Sequence, residues 1–79
     1  MTQISMDKDL AMDLIESKLR NIKKQILEIL GKWNQPSAEI MIQLSRDGKL
    51  PESEIDAIGL TNLQKKMYEL EKYQRSLED

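Results

Sequence analysis

MDKDLAMDLIESKLRNIKKQILEILGKW, residues 6–33, decides the fold. Met12, Ile15, Leu19, Ile22, Ile26, Ile29 and Trp33 recur at spacings of 3, 4, 3, 4, 3 and 4. That is the a/d seam of a heptad pattern, which holds one line of apolar side chains on one face of a helix. Asp7, Asp9 and Asp13 stand where the positive end of the helix dipole favours anions, and Lys18, Arg20, Lys23, Lys24 and Lys32 follow toward the negative end. Ser5 is the expected N-cap. Glu16 with Arg20 and Glu28 with Lys32 add (i, i+4) pairs, each contributing a few tenths of a kcal/mol.

Outward from this helix, Pro36 blocks its continuation and suits the first turn of a new one, so a second helix is predicted over 36–47. Its Ile40, Met41, Ile42 and Leu44 cover more than half its circumference, as expected of a helix touched on two sides. Asp47-Gly48 is a stop, because glycine enters the left-handed conformation that closes a helix. Pro51, followed by Glu52, Glu54 and Asp56, predicts a short third helix over 51–58, ended by Gly59. Thr61-Asn-Leu-Gln64 then reads as a capping box that opens a fourth helix over 61–77, with a stripe of Leu60, Leu63, Met67, Leu70 and Leu77. Valine and phenylalanine are absent and no alternating apolar run exists, so no β-strands are expected. The predicted fold is all-α: a single helical domain over 1–79, built as a small bundle of two long and two short helices, with 1–5 and 78–79 frayed.

Cysteine and histidine are both missing from the 79 residues. Their absence removes disulfides, thiolate and imidazole metal sites, and the side chain most used as a general base near neutral pH. Asp47-Gly48 with Glu54 has the glycine and last ligand of a calcium loop, but Leu44 takes a ligand position and the leading acids are lacking. Neither cofactor nor metal is expected, nor enzyme activity, since acid–base work by paired carboxylates needs a cleft and a raised pKa. Twelve basic against 14 acidic residues give a net charge of −2, which offers no bulk attraction to phosphate backbones or anionic lipid. Lys23-Lys24 and Lys65-Lys66 are flanked by acids and read as solvated helix faces. With no leader and no long apolar run, a cytoplasmic protein without membrane contact is expected.

A core this small contributes only about 3–5 kcal/mol, so a second subunit is a natural supplement. Helix one, at about 27 residues, is roughly 40 Å long, whereas a fourth helix of about 17 residues covers some 25 Å. The shortfall falls at the N-terminal half, where Leu10, Met12, Leu14, Ile15 and Leu19 form the predicted partner or homodimer surface. Trp33 is expected to pack beneath the Pro36 corner, and one of Tyr68 and Tyr73 at the core rim with the other exposed. The functional expectation is a non-enzymatic protein–protein interaction module, a regulator, adaptor or chaperone-like inhibitor that presents a helix face to a protein partner. Met41 and Met67 are candidates for an adaptable part of that face.

The alternative rests on EIMIQLSRDGKLPESEIDAIGLTNLQKKMYELEKYQ, from Glu39 to Gln74. A helix ending in Asp-Gly, a short helix with Glu-Ile, a Gly-Leu-Thr turn and a longer helix together resemble the three-helix part of winged helix–turn–helix regulators. The resemblance implies DNA binding, with the turn at Gly59-Leu60-Thr61 and Asn62, Gln64, Lys65 and Lys66 facing the duplex. In that reading Asn and Gln meet adenine edges and the lysines meet phosphates.

Overall fold

The computed structural model describes residues 4–78, and within them the chain is all-helical: α1 (Ile4–Trp33), α2 (Ala38–Arg46) and α3 (Glu54–Glu78). The ends expected to fray fall partly outside the described residues. Inside them, the backbone of Ile4 and Ser5 already belongs to α1, so the helix does not begin after Ser5 as expected, and Glu78 is the last described residue of α3. No described helix is long and apolar enough to cross a membrane.

The expected four helices are three, because the segments assigned to 51–58 and 61–77 form the single helix α3. Gly59 does not end a helix; it sits within one. Thr61 and Gln64 therefore form no capping box. The Thr61 hydroxyl donates back to the Ala57 carbonyl at 3.1 Å, as a mid-helix threonine does, and the Gln64 amide donates to a Glu39 carboxylate oxygen on α2 at 2.8 Å. Glycine costs a helix interior about 1 kcal/mol relative to alanine, which the buried face of a 25-residue helix readily offsets. Pro51 is not in the first helical turn either. It lies in the turn before α3, where Glu52 has a positive φ of 67°. Ser53 follows, fully buried, its hydroxyl donating to the Leu50 carbonyl and its own carbonyl accepting the Ala57 N–H at 2.8 Å.

The other two helix ends match their chemistry closely. α1 stops with Asn34 at φ 56°, the Gln35 N–H reaching the Leu30 carbonyl at 2.9 Å and the Asn34 N–H the Gly31 carbonyl at 3.2 Å. This is a Schellman closure in which asparagine takes the place usually held by glycine. α2 ends the same way through Gly48 at φ 73°, with Lys49 N–H to Leu44 and Gly48 N–H to Ser45. Its start is capped by Ser37, whose side chain accepts the Ile40 N–H at 3.2 Å, so α2 begins at Ala38 rather than at Pro36.

The molecule measures 55 × 18 × 18 Å, the proportions of an antiparallel α1–α3 hairpin with α2 laid against its closed end. α2 packs chiefly on α3 and runs antiparallel to it: Glu39 meets Gln64, while Ser45 faces Ala57. The tight core lies where all three helices meet. Leu30, Ala38, Met41 and Leu60 are buried there, with Ile26, Ile29, Trp33, Ile42 and Leu50 packed around them. Met41 and Leu60 expose 0% of their surface. Below α2 the hairpin is two helices thick, and Ile15, Leu19 and Ile22 fill its seam.

Met41→Ala should lower unfolding free energy in urea by about 2–5 kcal/mol, since it opens a cavity at the three-helix junction. Relief of the left-handed backbone at position 52 should act in the opposite sense, Glu52→Gly raising stability by about 1 kcal/mol in the same measurement.

Candidate interaction surface

The C-terminal turn of α1 is tied to the first turn of α3 through one carboxylate. The Trp33 indole N–H donates to Asp56 Oδ2 at 2.7 Å, and the Lys32 ammonium lies 3.1 Å from the same oxygen. Lys32 also stands 5.8 Å from the centre of the Trp33 ring, within cation–π range. Trp33 packs against the core with its ring, and its polar edge finds this acceptor across the hairpin. The indole hydrogen bond, reinforced by Lys32, stabilises the ionised carboxylate and holds the Asp56 pKa below its ordinary value. From sequence alone Asp56 belongs among solvated helix-start acids and Trp33 under a proline corner. The available signal was the single tryptophan of the chain facing an acid-rich helix start.

Of the five residues expected at a partner surface, the structure separates two groups. Ile15 and Leu19 are buried, at 4% and 8% exposure, because α3 is long enough to reach them. Met12 is half-buried, and Leu10 and Leu14 stand out at 57% and 54%. The methionine expectation divides similarly, Met41 being wholly enclosed and Met67 half-buried. Tyr68 and Tyr73 are both exposed, so neither tyrosine forms the core rim expected of one of them.

The residues of the DNA-binding alternative are distributed differently from a recognition helix. No turn exists at Gly59-Leu60-Thr61, where α3 is continuous. Asn62, Lys65 and Lys66 are exposed on α3, but Gln64 is engaged by Glu39 and so carries an acidic neighbour.

Two open grooves flank the α1–α3 seam. One, on the side that carries α2, is bordered by Glu16, Arg20, Lys23 and Glu71. The other, about 560 Å³, contains no α2 residue: Ile22, Leu63 and Leu70 make an apolar floor, with Lys18, Lys66 and Glu69 among the residues on its rim. Leu63 and Leu70 remain half-exposed, and Tyr73 stands at the lower edge. Continuing α1 downward by its 3.6-residue period brings Leu14 and then Leu10 onto this same flank. Among the described residues no group of three or more acidic, histidine or cysteine side chains is placed to hold a metal ion. The flank combines an apolar floor, a charged rim and exposed apolar ends.

The Asp56 contact sets a pH dependence. A carboxyl with a lowered folded pKa contributes stability that is complete above the ordinary value of 3.8 and is lost as pH falls through the folded value below it. Urea unfolding followed by Trp33 fluorescence should therefore show stability falling more steeply below about pH 4 in the parent chain than in Asp56→Asn. Parallel curves for the two would remove Asp56 as the origin.

No family model, curated protein or solved structure matches this chain.

Proposed function

We propose that this chain is a small non-enzymatic interaction module of the cytoplasm, a regulator or adaptor that presents the flank of its α1–α3 hairpin to another protein chain. One observation carries the reading. Leu14, Leu10 and Tyr73 are exposed along a flank whose apolar floor, Leu63 and Leu70, is not fully covered by the chain itself. Large apolar side chains scattered singly need no explanation, but several gathered along one groove mark a contact site. A helix or helix pair laid along such a groove would dry the floor and leave the lysines and Glu69 at a wet rim.

A DNA-binding regulator is the second reading, favoured by the exposure of Asn62, Lys65 and Lys66 on one helix. The acid beside Gln64 and the continuity of α3 through Gly59 weigh against it.

The two readings differ in measurable ways. A photo-reactive residue in place of Leu14 should cross-link to a protein chain when irradiated in cells of the native source, and the same residue in place of the exposed Gln43 on α2 should not. Absence of any adduct at Leu14 would sink the first reading. Labelled duplex should bind negligibly at about 50 mM salt. Tight binding there, weakened at about 200 mM salt and abolished by joint Lys65→Glu and Lys66→Glu changes, would establish the second.

A further inference from the structure

The flank away from α2 has features that this chain does not use for itself. At about 100° per residue, Ile55, Gly59, Lys66 and Tyr73 lie within roughly 40° of one line along α3, and Leu10, Leu14, Lys18, Asn21 and Gln25 occupy the matching flank of α1. Ile55 is 83% exposed at the closed end of this face, while Leu10, Leu14 and Tyr73 are exposed at its open end. Between them lies the groove over Ile22, Leu63 and Leu70.

Gly59 belongs to the same line. It lies inside a helix without a positive φ, and nothing in the chain comes within 4 Å of where a side chain would begin. Neither conformation nor internal packing asks for glycine there, despite its cost of about 1 kcal/mol against alanine. A partly exposed backbone with open space at its Cβ position allows another chain to approach closely.

The rim charges are arranged to meet themselves. Lys66 and Glu69 are exposed one turn apart, on the same edge of the groove. A two-fold axis lying in the plane of this face, at right angles to the helix axes and passing between them, sets Lys66 of one copy opposite Glu69 of the other, and the reverse. The same axis sets Leu63 near the second copy's Tyr73. It carries the Ile55 end of each copy over the Leu10, Leu14 and Tyr73 end of the other, so the exposed apolar residues at both ends are covered together. The size is also suitable. α3's length of roughly 37 Å across an 18 Å face offers about 650 Å² per copy and about 1,300 Å² in all, within the range of specific interfaces.

Resting on the reading of this face as an interaction surface, we infer that its occupant is a second copy of the chain, packed antiparallel across the α2-free flank to form a four-helix bundle with each α2 outside. The interface differs from a dimer built on the a/d seam of helix one, since Ile15 and Leu19 are already enclosed within each copy.

The test uses the full chain. Sedimentation equilibrium should give a dimer that dissociates on dilution. Lys66→Glu alone and Glu69→Lys alone should each weaken it about tenfold or more, because either change creates two symmetry-related like-charge contacts. The double variant should restore it, and circular dichroism should be unchanged throughout, both side chains being exposed. A monomer mass at every concentration overturns the inference, as does a dimer insensitive to both single changes. A photo-reactive residue in place of Asn21, irradiated in the native source, separates this failure from that of the parent reading. An adduct of twice the chain mass supports the second copy. An adduct with a different protein, with no self-adduct, overturns the second copy and leaves the interaction surface standing, and no adduct at all overturns both.

Discussion

Everything in this molecule hangs on the antiparallel seam between α1 and α3. A chain of 79 residues without a cysteine for a disulfide relies on helix packing to hold it, and here that packing is arranged along a line rather than around a centre. Ile15, Leu19, Ile22 and Leu30 are buried along it on α1. Against them α3 extends unbroken for 25 residues, about 37 Å. The three-helix junction at one end is the compact core, and the Trp33–Asp56–Lys32 contact fastens the two long helices at the point where the chain between them departs and returns.

The division of labour between the ends of the hairpin follows from the length of α2. Nine residues of helix span only about 13 Å, so α2 can roof the closed end and nothing beyond it. Two helices packed side by side bury only the strip between them, and each keeps two flanks partly wet. That geometric limit, rather than any special residue, leaves the floor of Leu63 and Leu70 partly uncovered on the flank beside Lys18 and Lys66.

The candidate surface is only partly legible in the sequence. Leu10 and Leu14 are expected to be uncovered, and they are exposed. Ile15 and Leu19 group with them only while the register of the last helix against α1 is open. In the structure Asp56 sits beside Trp33, and that register lays the C-terminal turns of α3, with Glu71 and Gln74, along Leu19, so both residues go inside. Ile55, at 83% the most exposed large apolar side chain among the described residues, stands on the outer side of α3. Its exposure follows from the phase of α3: once the Leu60 and Leu63 line faces inward, position 55 turns out.

Local chemistry by itself determined the all-helical class, the register of the α1 seam, the closure of α2 at Gly48 and the break before Pro36. Each depends on interactions within a few residues, such as a heptad period, a left-handed glycine or a ring that clashes with the preceding turn. Only tertiary structure decided whether Gly59 and the Thr61–Gln64 pattern would end one helix and begin another. Their local signals amount to about 1 kcal/mol, while continuing the helix buries Ala57, Leu60 and the Leu63 line against α1 and α2. Burial of that apolar line outweighs the local signals. The number of helices, the register of α3 against α1 and the flank left partly uncovered were therefore settled by packing rather than by propensity.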